Sequence, residues 1–95
     1  AYTGKYWVKA EISKLNYYPK SGHCYPDLVE KRDERIVVQM RSTIWRQTFE
    51  RLSSGFLEAT GEKLRGGIEV LLRVQVVYDS RYGFSLNITD LDPTF

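Results

Sequence analysis

Tyrosines and lysines interleave in residues 7–25, WVKAEISKLNYYPKSGHCY, and that mixture suits one kind of chemistry. A tyrosine ring offers a face on which a nucleobase can stack, and a nearby lysine attracts phosphate. Tyr17, Tyr18 and Lys20 stand together, with His23 and Tyr25 just beyond them. A second aromatic-basic pair, Arg81 and Tyr82, lies in the turn 79–83, and Arg41 falls on a predicted strand between the two. Lys14, Lys31 and Arg32 complete a candidate electrostatic rim, against which stands the ordinary alternative of solvated charge. The expected role is to hold a polyanion.

Equipment for bond-breaking is thin by comparison. His23 is the sole histidine and Cys24 the sole cysteine, and neighbours on a strand point to opposite faces, so they make a poor nucleophile-base pair. His23 suits either contact with a phosphate or base, or a hydrogen bond that fixes the entry of its strand. Asp90 and Asp92 share a strand face, but at a strand end they read as solvated acids more readily than as metal ligands. Gly66-Gly67 is too short for a phosphate loop and precedes a strand, so it is a turn. No catalytic residue, metal or cofactor is expected.

The elements that must position these residues follow from periodicity. Val8, Ala10 and Ile12 alternate with Lys9, Glu11 and Ser13, predicting a strand over 7–15 with one buried side. A second strand is expected over 23–30, with Pro26 marking an edge or bulge. After a polar turn at 30–35, the third strand, 36–42, is expected to place Ile36, Val38 and Met40 inward. The period then changes. Ser42 or Thr43 is a reasonable N-cap, Trp45, Phe49, Leu52, Phe56 and Ala59 or Thr60 form a helical stripe, and Gly61 is the stop. The stripe is expected to pack on the sheet. Ile68, Val70, Leu72, Val74, Val76 and Tyr78 share a face of a fourth strand, and a fifth runs over 84–91.

Composition sets the outer limits. The 95 residues suffice for one domain, residues 1–95, and the abrupt ends suggest a piece of a larger chain. A net charge of +2 permits nucleic-acid binding without requiring it. A lone cysteine excludes an internal disulfide and suits a reducing, cytoplasmic setting, where it serves as a small packed hydrophobe. No apolar run is long enough to span a membrane. The order strand, strand, strand, helix, strand, strand predicts a mainly β fold. It is that of the five-stranded OB barrel, which binds oligonucleotides or oligosaccharides across its second and third strands, flanked by the loop between strands one and two and the loop between strands four and five.

Particular residues carry the reading further. Trp7-Val8-Lys9-Ala10-Glu11-Ile12-Ser13 followed by Ser21-Gly22-His23-Cys24-Tyr25 resembles the N-terminal OB domain of the bacterial exodeoxyribonuclease VII large subunit. Gly67-Ile68-Glu69-Val70-Leu71-Leu72-Arg73, the turn at 78–83 and Asp90-Leu91-Asp92-Pro93 match in the same order. Pro26 replaces a large apolar residue, and Val74 stands where many members have glycine. The resemblance implies a module that grips single-stranded DNA for a hydrolase, with cutting done by another domain and small subunits assembling on the large one. Two rival roles share the topology: an OB domain that organises subunits or neighbouring domains, and an RNA-binding OB domain.

Overall fold

The computed structural model describes residues 2–81 and 83–93. In chain order its elements are β1 (Tyr2–Lys14), β2 (Asp27–Arg32), β3 (Arg35–Thr43), α1 (Arg46–Thr60), β4 (Ile68–Asp79) and β5 (Gly83–Asp92). The five strands close a barrel in the order β1-β2-β3-β5-β4, the mixed OB arrangement with one helix between β3 and β4. Antiparallel pairing joins β1 to β2 and β4, β2 to β3, and β4 to β5. Closure depends on a parallel contact between β3 and β5, made by Ser42 with Leu86 and Thr43 with Asn87.

The alternation in β1 and β4 sends Ile12, Val70, Leu72 and Val74 into the barrel, where Leu28, Ile44, Ile88 and Leu91 meet them. Truncating a fully enclosed residue such as Leu72 to alanine removes about 2–5 kcal/mol of stability. Val74, noted above as a departure from the resembling family, lies beside a register shift in the β4–β5 ladder. Thr89 is the additional residue there, between Ile88, opposite Val74, and Asp90, opposite Arg73. A bulge bends a strand without requiring glycine.

The helix plugs one end of the barrel with Leu52 and Phe56, and Arg51 ties it to β5 by donating to the Thr89 carbonyl at 2.7 Å. Gly61 ends it in the left-handed region, φ 76°, with its N–H donating to the Leu57 carbonyl.

Four expectations change. The N-cap is Trp45 in place of Ser42 or Thr43, because Ser42 belongs to β3 and its hydroxyl donates to the Pro26 carbonyl at 2.6 Å. Trp45 accordingly leaves the helical stripe and is 51% exposed, and Ala59 and Thr60 are exposed as well. The second strand begins at Asp27; Pro26, fully buried, lacks the N–H a ladder would use, and Cys24 makes isolated bridges to Tyr17 and Ile44. Finally, Ile36 and Val38 are exposed along with Val37, because the far end of the β2–β3 hairpin projects past the barrel and has no interior to face. Its two-residue turn, Asp33-Glu34, has positive φ at both positions, the requirement of a type I′ hairpin turn.

Candidate nucleic-acid interface

The β1–β2 connection is a long loop held by its own backbone. Tyr18 N–H donates to the His23 carbonyl, Gly22 N–H to the Tyr18 carbonyl, and Tyr25 N–H to the Asn16 carbonyl. Gly22 has φ 76°, and a Cβ there would fall 2.6 Å from Arg46 Cδ, so glycine is what lets the loop fold against the start of the helix. Cys24 fastens the loop to the barrel through paired backbone hydrogen bonds with Ile44, at 2.9 and 2.7 Å. Its thiol donates to the Leu15 carbonyl, and burial pushes its pKa up to about 12. This cysteine is inert packing.

Asn16 is the pivot. It adopts the left-handed region, φ 54°, which asparagine tolerates, and its side-chain amide donates to the Tyr25 carbonyl at 3.0 Å and to Asp27 Oδ2 at 3.2 Å. Those bonds set the edge of a cleft of about 770 Å³ lined by Lys14, Asn16, Tyr18, Tyr25, Asp27, Arg41, Ser42, Thr43 and Ser85. The cleft opens where β3 and β5 part company, beyond the Ser42–Leu86 pair. Tyr18 and Tyr25 meet edge to face, ring centres 5.2 Å apart, a contact that takes up one face of only one of the two rings. Arg41 lies directly across the β2–β3 ladder from Asp27, and Lys14 across the β1–β2 ladder from it. The chemistry gathered here is two aromatic rings, two cations, one carboxylate and the small polar residues Ser42, Thr43 and Ser85.

The structure thus brings Tyr18, Tyr25 and Arg41 together with Lys14, and sends the other candidates elsewhere. Tyr17 stacks on Phe49 of the helix, centroids 5.1 Å apart and planes at 25°, on the opposite side of the loop. His23 Nδ1 accepts the backbone N–H of Arg46 at 2.9 Å and its ring meets Trp45 edge-on. It thereby satisfies the N–H of the first helical residue, one of the four that a helix leaves without an internal partner. Lys20 occupies the exposed turn of the loop and Arg81 the exposed β4–β5 turn; neither lines the cleft. Tyr82 falls outside the described residues. Lys31 is engaged with Glu11 at 3.0 Å, and Asp90 with Arg51 at 3.5 Å.

Asn16, Asp27 and Ser85 were not singled out by sequence reasoning, and Ser42 and Thr43 were read only as helix caps, although two of the five leave a trace. Asp27 is two residues from Tyr25, the spacing that puts side chains on one face of an extended segment. Asn16, just before a tyrosine pair, is the residue type that accepts positive φ.

A family model described as OB-fold nucleic acid binding domain matches residues 1–92 of this chain. The exodeoxyribonuclease 7 large subunit of Deinococcus radiodurans is 34% identical over 98 residues, covering 97% of this chain. The chain spans about a quarter of that relative, 23% of its length. No solved structure matches the chain.

Proposed function

Because this chain belongs to the OB-fold nucleic acid binding domain family, we propose that it is the single-stranded DNA-binding module of an exodeoxyribonuclease VII-like large subunit. The observation that carries this reading is the cleft, where Tyr18 and Tyr25 adjoin Arg41 and Lys14. Rings take bases and cations take phosphates, with no requirement for a paired strand. In this reading the chain has no catalytic centre of its own. Hydrolysis belongs to other parts of the parent enzyme, and small subunits assemble on those parts in the cytoplasm.

Each stacked base contributes about 1–3 kcal/mol, so one or two stacks with a few phosphate contacts give micromolar or weaker binding. Affinity falls steeply with salt because counterions are released from the strand. Fluorescence anisotropy with labelled oligothymidylate tests this. Salt-sensitive binding that is lost on combining Tyr18→Ala with Tyr25→Ala supports the assignment; no binding up to high micromolar protein overturns it. Competition by a matched RNA at equal strength would move the assignment to RNA.

A second reading has its own observation. Ile36, Val37 and Val38 on the projecting hairpin are each about half exposed, at 54%, 50% and 47%. A run of apolar side chains on both faces of a ribbon suits contact with another protein surface. Light scattering decides: a stable oligomer dispersed by Val38→Lys favours a subunit-organising role.

A further inference from the structure

Asp27 is at odds with its surroundings. It lines a cleft whose cations suit phosphate, and a carboxylate there works against every phosphate that approaches. Neutralisation by a neighbour does not account for it. Arg41 and Lys14 are its cross-strand partners, yet among the described residues no cation lies within ion-pair distance of its carboxylate. Its one side-chain hydrogen bond is accepted by Oδ2 from Asn16, which leaves Oδ1 without a protein donor among the described residues. Asn16 does not depend on that bond for its position, because the same amide nitrogen also donates to the Tyr25 carbonyl.

From these observations we propose that Asp27 reads the edge of a base stacked in the cleft and selects bases that carry an amino group, cytosine foremost, over thymine. The inference rests on the cleft being a strand-binding site. A carboxylate can only accept hydrogen bonds. Cytosine presents its N4 amino group as a donor, the pairing expected of an acidic side chain. Thymine presents the carbonyl O4 in the same place, and acceptor faces acceptor. Tyr25 sits two residues before Asp27, so a base held against its ring has its edge within the part of the cleft that Asp27 lines. Lys14 and Arg41 on the flanking strands remain available for the phosphates on either side.

The test compares labelled oligo(dC), oligo(dT) and oligo(dC) carrying N4,N4-dimethylcytosine against the unaltered chain at fixed salt. Oligo(dC) is expected to bind about tenfold more tightly than oligo(dT), and dimethylation to abolish the difference. D27N adds a protein-side arm. The asparagine carbonyl can still accept from Asn16 while its amide group becomes a donor toward the cleft, so the preference should reverse in favour of oligo(dT). Equal affinity for oligo(dC) and oligo(dT), or a D27N effect of the same factor on both, would show a purely electrostatic role and overturn the proposal while leaving strand binding intact. Failure of the chain to bind any of the three would remove both readings together.

Discussion

Tyr17 and Tyr18 are adjacent, chemically identical and about equally exposed, at 49% and 56%, yet they serve different parts of the molecule. Tyr17 forms an isolated bridge with Cys24 and lays its ring on Phe49, closing a gap between the loop and the helix. Tyr18, one residue on, turns to the other side and meets Tyr25 in the cleft. The bridge makes the chain locally extended, and an extended chain sends successive side chains to opposite faces. One loop therefore has an inner side that packs on the helix and an outer side that faces the cleft. Residue type and exposure do not distinguish the two tyrosines; their partners do.

The contrast can be broken in several ways, and the most sensitive acts beneath the loop. The Cys24 pKa of about 12, against an ordinary value of 9.0, leaves about a thousandfold fewer thiolates in the native protein at pH 8. Alkylation followed by mass spectrometry should therefore be slower than in the urea-unfolded chain by at least that factor. The same shift has a thermodynamic sign. The folded thiol holds its proton more tightly than the unfolded one, so its contribution is fully present below pH 9 and is lost as the pH rises from there toward 12. Alkylation at the unfolded rate under native conditions would mean that the anchored side of the loop is not anchored.

Next in size is the effect on ligand. Tyr18→Ala is expected to weaken oligonucleotide binding by about 1–3 kcal/mol, with the urea midpoint lowered less than by Tyr17→Ala, through loss of the edge contact with Tyr25. Tyr17→Ala should do the reverse, lowering stability by about 1–2 kcal/mol through loss of the Phe49 stack and its half-buried ring, with binding little altered. Urea titration and anisotropy on both variants check the pair together. If the two substitutions had interchangeable effects, the division of the loop would be wrong. The smallest expected effect is that of His23→Ala, which removes the acceptor for Arg46 N–H and lowers stability by about 1 kcal/mol. His23→Asn, able to accept the same bond, should recover part of it. A binding loss on His23→Ala at unchanged stability would place this residue in the interface after all.

Much of the barrel was legible because its signals are local. The alternation from Ile68 to Val76, the glycine stop at Gly61 and the turn before Arg35 depend on residues close in sequence. Ile36 and Val38 misled for a physical reason: alternation marks a face, and only the barrel's extent decides whether anything covers it. The helix start was illegible for another. Its acceptor comes from His23, 23 residues before Arg46, and no pattern around Ser42 reveals that. In the candidate site, three of the residues chosen by type, Tyr18, Tyr25 and Arg41, meet in one cleft. Residue types did not separate Tyr17 from Tyr18, nor reveal Asp27, whose place follows from its register opposite Arg41.

The two-pair contact between β3 and β5 has a mechanical meaning. The β1–β4, β4–β5 and β2–β3 ladders are much longer and β1–β2 slightly so, and the barrel resembles a strip rolled up and fastened by a short clasp. Its soft coordinate is then the width of that seam, which can change without altering strand order or the Leu72 core. Amides at Ser42 and Thr43 should exchange with solvent sooner than those at the centre of the β1–β4 ladder. Because the cleft opens from the same seam, the girth of the barrel and the width of the cleft become a single variable.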